Sequence, residues 1–343
     1  MLMAYARLLR SGWISLLLAG AILAGALVGH AWPEAGAALG DQVDRTLLAL
    51  VGLLFFGARF DALARLRGYA RGMALIVGTN YLLVPAIGHI IASVALPSQP
   101  LFMTGLMIYF MAPCTDWFLG FTRLAHGNVA LGAALIPVNI VMQLLLYPVF
   151  LQLYTHSAAE VGAGVMADTL LHWFLVPLAV AVLAHLGLRR LLGQARLGLL
   201  LACADRLTPW LIAALVMQIF AAHVAVILEH RDLFTWILLA VFLFFVLTYF
   251  LGEGISRLAR LPYPDHALLT MSIAARNAPL MLAVTIAALP GQPLIYAALI
   301  IGMLVEFPHL TLLRRLLLGR HARGVPLIPA PPDRATHARS STP

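Results

Sequence analysis

Three ionisable side chains stand inside otherwise apolar runs of this sequence: Asp116, Arg276 and Glu306. Insertion scales put a charge at the bilayer centre at roughly 2.5–3.5 kcal/mol, so each needs a partner or a wet cavity. Their opposite signs predict that Arg276 pairs with Asp116, Glu306 or both. Such a pair has two compatible readings: a fixed ion pair holding the structure together, or a charge network that a solute or a proton disrupts. Glu306 is the proton candidate, because an apolar site penalises its charged form. Alternating pairing with Arg276 would then couple protonation to conformation.

Asp116 and Arg276 each lie beside a proline in mid-run. One segment reads Tyr109-Phe110-Met111-Ala112-Pro113-Cys114-Thr115-Asp116-Trp117, the other Ser272-Ile273-Ala274-Ala275-Arg276-Asn277-Ala278-Pro279-Leu280. Proline lacks a backbone donor and clashes with the preceding turn, so both helices are predicted to break at Pro113 and Pro279. Free backbone groups at that depth are tolerated only under protein or beside a water-filled cavity. The run after each break carries another polar residue with a proline: Asn139 with Pro137, and Glu306 with Pro308, where a third helix break is expected. Cys114 follows the first break proline. A thiolate there is a soft ligand, although a small buried apolar residue is the plainer reading. His172, His223 and His309 are expected to be packed or interfacial.

The elements that position these residues follow from composition. Of 343 residues 62% are apolar and 10% charged, against about 25% charged in a soluble domain. Runs long enough to cross a ~30 Å hydrocarbon core cover 13–32, 43–59, 72–95, 101–125, 128–154, 168–192, 207–228, 232–251, 264–290 and 294–318. The second is the least apolar. Gly25 and Gly29 form a small-xxx-small pair suited to helix packing. With the N-terminus in the cytoplasm, nineteen of the 22 basic residues, all Arg, fall on inside segments, as the positive-inside rule requires. Only Arg45 and Arg231 fall outside, and Arg276 stays in the membrane. Arg7 and Arg10 before the first run also resemble a signal peptide, but cleavage would leave an odd span count and spoil the charge alternation.

An all-α integral membrane protein of ten transmembrane helices follows, with both termini cytoplasmic. The Arg-only, Ala/Leu/Gly-rich composition suggests a bacterial inner membrane. The breaks fall in the fourth span of each set of five, which implies two inverted five-helix repeats, 1–158 and 159–320, and a midplane site. Residues 321–343 form a cytoplasmic disordered tail, rich in Pro, Ser and Thr. Charges that alternate between loops give no nucleic-acid patch. No metal-ligand spacing, catalytic motif or cofactor signature is present, so neither catalytic nor metal residues are expected, and an enzyme or a receptor fits less well than a transporter.

Ala112-Pro113-Cys114-Thr115, followed by Gly127-Asn128 and Asn139, resembles the fourth and fifth helices of arsenite efflux permeases of the arsenical-resistance family, within the bile acid/sodium symporter superfamily. Gly302-Met303-Leu304-Val305-Glu306-Phe307-Pro308 is similar to that family's Gly-Pro-Leu-Val-Glu-Val-Pro pattern. The resemblance implies a panel domain moving against a core domain, with broken helices four and nine crossed in the core. It implies required roles for Cys114 and Glu306, and a substrate set of Cys114, Thr115, Asn139 and Asn277. The function implied is an antiporter for arsenite or antimonite, a small inorganic solute, in exchange for protons. The alternative is a transporter of an organic or other anion bound by Arg276. The ninth helix departs from the family's Asn-Asn-Phe-Glu-Leu, and Asp116 stands where a small apolar residue is usual. A fixed cation at Arg276 should repel sodium and replace it electrostatically, so sodium coupling is not expected.

Overall fold

The structure is a computed structural model that describes residues 2–57, 69–115, 117–154, 171 and 175–322. Asp116, the 168–170 start of the sixth expected span, His172 and residues 323–343 of the expected tail lie outside the described residues.

The described chain is helical, with one isolated β-bridge. In order the helices are α1 (Leu2–Ala31), α2 (Pro33–Gly40), α3 (Val43–Gly57), α4 (Ala70–Gly78) and α5 (Val84–Ala95), the last two joined by a π-helical turn at Thr79–Leu83. Next come α6 (Pro100–Met111), α7 (Phe118–Leu124), α8 (Val129–Tyr154), α9 (Val176–Glu229) and α10 (Leu233–Leu258). The last three are α11 (Tyr263–Ala274), α12 (Ala278–Ala288) and α13 (Pro293–Ala322). Among the described residues, six helices are long and apolar enough to cross a membrane: Trp13–Ala31, Ala70–Ala95, Val129–Leu153, Val176–Glu229, Leu233–Leu258 and Pro293–Ala322. The shorter apolar helices Pro100–Met111 and Ala278–Ala288 are halves of the broken spans.

The second expected span, thin in apolar content, forms α3. Its Leu47, Leu50, Val51 and Phe55 are buried at the spacing of one helical face. The expected sixth and seventh spans run together in α9, where Gly193 (φ 74°, ψ 170°) parts them; only glycine takes that left-handed conformation without strain.

Packing sorts the helices into two groups. The first is α1, α2, α3 and α9; the second is α4–α8 with α10–α13. The groups meet where α1 and α9 touch α13 and where α3 touches α12. Gly25 and Gly29 lie against the main-chain carbonyls of Met217 and Ala221, which a Cβ at either glycine would strike. Close backbone approach of this kind replaces the hydrophobic effect as the helix-pairing force in lipid. Gly29→Val is therefore expected to force α1 from α9 and destabilise the protein by about 1–3 kcal/mol. Thermal melting in detergent would show it, and an unchanged melting temperature would mean that the helices part without cost.

In the second group, α6 and α12 are buried almost along their whole length. The far ends of the broken spans are bolted together. Asn128 caps α8 through Leu131 N–H (3.1 Å) and donates to Asp265 Oδ1 (2.7 Å), while Tyr263 Oη donates to Ala125 O (2.9 Å). Nearby, Glu253 takes Arg320 Nη1 at 2.8 Å, His266 Nε2 at 3.2 Å and Arg257 Nη2 at 3.4 Å, tying α10 to α11 and α13.

Candidate functional site

Both predicted breaks occur, and the two breaks cross. Ala112 and Ala275 have extended backbone at the ends of α6 and α11. Cys114 N–H donates to Ala275 O at 3.1 Å, and Asn277 N–H donates to Ala112 O at 2.9 Å. Pro113 and Arg276 form the antiparallel bridge between these bonds. Each break thus supplies the hydrogen bonds the other lacks, which answers the cost of unwound backbone away from water. The prolines act differently. Pro113 lies in the break itself, whereas Pro279 sits in the first turn of α12, where its missing N–H costs nothing. Pro308, expected as a third break, lies inside the continuous α13. A single lost donor can be absorbed in a membrane helix that packs against neighbours.

Arg276 is fully buried. Its Nη1 donates to Phe110 O at 2.9 Å. Its Nη2 donates to Ser272 O (2.9 Å), Ile273 O (2.8 Å) and Asn80 Oδ1 (3.2 Å). The Phe244 ring covers the guanidinium, with its centroid 5.6 Å from Cζ. These carbonyls end α6 and α11, and helix C-termini carry partial negative charge. The expected side-chain pairing with Glu306 is therefore corrected: Glu306 Oε1 accepts the main-chain N–H of Arg276 at 3.0 Å, while the guanidinium turns to the half-helix ends. Four oxygens there satisfy more of its donors than one carboxylate would.

Glu306 is equally buried. Besides Arg276 N–H it accepts Trp117 Nε1–H at 2.9 Å, and Tyr109 Oη approaches at 3.4 Å while also lying 3.1 Å from Gly302 O. The carboxyl thus sits on the crossing, held by neutral donors from α6, the break before α7 and the break before α12.

Beside the crossing is an amide cluster. Asn277 Nδ2 donates to Thr115 Oγ1 (3.0 Å) and Gln143 Oε1 (3.2 Å), and Asn139 Nδ2 donates to Cys114 O (3.2 Å). Asn139 Oδ1 and Gln143 Nε2 are buried with no partner among the described residues, so the cluster offers one acceptor and one donor group to a polar guest. Cys114 is 2% exposed, and its N–H and carbonyl both serve the site. The structure therefore brings together Cys114, Thr115, Asn139 and Asn277, and next to them Arg276 and Glu306.

Sequence reasoning missed Asn80, Tyr81, Tyr109, Trp117 and Gln143. Gln143 was findable, one helical turn after Asn139. Asn80 and Tyr81 were not: the π turn buries Thr79, Asn80 and Tyr81 in succession, against the helical period. Asn80 then reaches Ser272 Oγ (2.9 Å) as well as Arg276, and Tyr81 Oη donates to Asn139 O (3.0 Å). Such bulges recur at functional sites. His309 is packed, stacked on Phe245 at 4.0 Å. Among the described residues no three His, Cys, Asp or Glu gather as a metal site.

The family model described as Sodium Bile acid symporter family matches residues 53–236, just over half of the chain. The match includes Asn80, Cys114, Asn139 and Gln143 and stops short of Arg276 and Glu306. No curated protein matches the chain.

Proposed function

We infer the function from this premise: the chain belongs to the Sodium Bile acid symporter family. It is a multi-pass membrane transporter of the bile acid/sodium symporter type, binding small solutes within the bilayer. Within that class, our reading is a secondary antiporter that exports trivalent arsenite or antimonite from a bacterial cytoplasm in exchange for protons. Its ten spans form inverted repeats over 1–158 and 159–320, with both termini inside. The reciprocal bonds of Cys114 and Asn277 across the breaks support the repeat. The α1–α3 and α9 group serves as the panel and the remaining helices as the core.

The observation that carries the reading is the environment of Glu306. It is a buried carboxyl, held at the crossing by Trp117, Tyr109 and the main chain of Arg276 instead of by a cationic side chain. A carboxyl in that position gains or loses a proton without breaking a fixed ion pair, as proton relays in transporters require. Cys114, Thr115, Asn139 and Asn277 form the solute site, with the thiol as its soft donor. The organic-anion reading asks for a set of available donors on Arg276, yet Nη1 and Nη2 already face oxygens, which leaves Nε as the nitrogen without a partner among the described residues. The family name speaks of sodium; in this chain a fixed cation stands at the crossing, and protons are the coupling ion of our reading.

The test is arsenite uptake by energised everted membrane vesicles. Accumulation that collapses when the proton gradient is discharged is the expected result. No accumulation by intact, inserted protein would remove the metalloid reading and leave the transporter class standing.

A further inference from the structure

We propose that the Arg276 guanidinium is a tethered counter-cation: it fills an oxygen site built where the C-termini of α6 and α11 meet, so the protein works without a free alkali cation, and shortening the side chain opens a monovalent-cation site. The inference deepens the transport reading by naming the ion that this site does without.

Four oxygens define the site: Phe110 O, Ser272 O, Ile273 O and Asn80 Oδ1, all within 2.8–3.2 Å of a guanidinium nitrogen. Three of them converge on the single atom Nη2. Convergence of oxygens on one point is the geometry of a small hard cation, not only of a planar fork. Three of the four are main-chain carbonyls from two half-helices that end at the crossing, so two negative dipole ends add there. Carbonyls at such half-helix ends coordinate monovalent cations in transporters with broken helices.

Among the described residues, the guanidinium of Arg276 is the cation that these oxygens face. When ionised, Glu306 adds further negative charge on the main-chain side of Arg276, where it takes the N–H. Asn80 is held in place, because the π turn aims it inward and its Nδ2 bonds Ser272 Oγ at 2.9 Å. The site is therefore organised by the helix ends and Asn80, and the arginine is its occupant. Five buried donors on a planar fork are more than the site uses: Nε has no partner among the described residues, as expected of a group present for its charge.

The test measures stability, not transport, so it stands whether or not the solute is a metalloid. Wild type, Arg276→Ala, Arg276→Lys and Arg276→Ala with Asn80→Ala would be purified as full chains in detergent. Each would be melted in choline chloride, then with sodium or low-millimolar guanidinium replacing choline at constant ionic strength. The expected results are no shift for wild type or Arg276→Lys, and a saturable rise of about 5 °C for Arg276→Ala. The added Asn80→Ala change should remove most of that rise. Recovery of Arg276→Ala only when sodium or guanidinium is present would be the same result in stronger form. A sodium-dependent rise in wild type equal to that of Arg276→Ala would overturn the proposal. So would no rise in Arg276→Ala, or failure to recover it in any of these salts while Arg276→Lys folds.

Discussion

Glu306→Gln is expected to abolish arsenite export, by about 100-fold or more, while the protein stays folded and inserted. The substitution is nearly isosteric. The glutamine carbonyl still accepts from Trp117 Nε1 and from Arg276 N–H, which lie 2.9 and 3.0 Å from Oε1 in the wild type. What it removes is the exchangeable proton, and loss of an essential proton-transfer group costs roughly 10²–10⁴-fold. Initial rates in everted vesicles, normalised to inserted protein, measure it. Trp117→Phe offers a graded comparison: the carboxyl survives but loses its indole donor, so export should persist with a displaced pH profile. A Glu306→Gln chain that exports at the wild-type rate would take the proton role away from this residue.

Cys114→Ser is expected to lower arsenite and antimonite export by about tenfold or more, because a hydroxyl is a far poorer ligand than a thiolate for a soft metalloid. The crossing should survive the change. Its bonds use the N–H of Cys114, towards Ala275 O, and the carbonyl, which accepts from Asn139 Nδ2; neither involves sulfur. A melting temperature close to wild type would accompany the loss of flux. Equal export by the serine variant would return Cys114 to a packing role and favour a solute without thiol affinity.

Much of this architecture was readable from the amino-acid order because lipid imposes few options. Apolar runs of sufficient length marked the long helices, and the mid-run prolines marked both breaks. Residues singled out from the sequence also lie together in the fold: Cys114, Thr115, Asn139, Asn277, Arg276 and Glu306 meet at the crossing. Direction was harder to read. Opposite charges predicted that Arg276 pairs with Asp116, Glu306 or both. Asp116 lies outside the described residues, and Glu306 takes the main-chain N–H while the guanidinium turns to Phe110 O, Ser272 O and Ile273 O. Main-chain acceptors carry no signature in sequence, and they exist only once two helices have ended at the same place. Asn80 was hidden for a related reason: a π turn shifts the helical phase without a distinctive residue pattern. Pro308 shows the opposite error, a strong local signal that continuous packing of α13 overrides. Gln143 alone was within reach, on the same face as Asn139 one turn on.

The central claim, that solute movement is exchanged for protons at Glu306, is tested most directly by watching the protons. Everted vesicles are energised until their interior is acid, respiration is stopped, and arsenite is added while a pH-indicating dye reports the lumen. The account predicts that arsenite discharges the acidity at once with wild-type protein and leaves it untouched with Glu306→Gln. Arsenite entering the lumen with no proton leaving, or an equal discharge with Glu306→Gln, would contradict it.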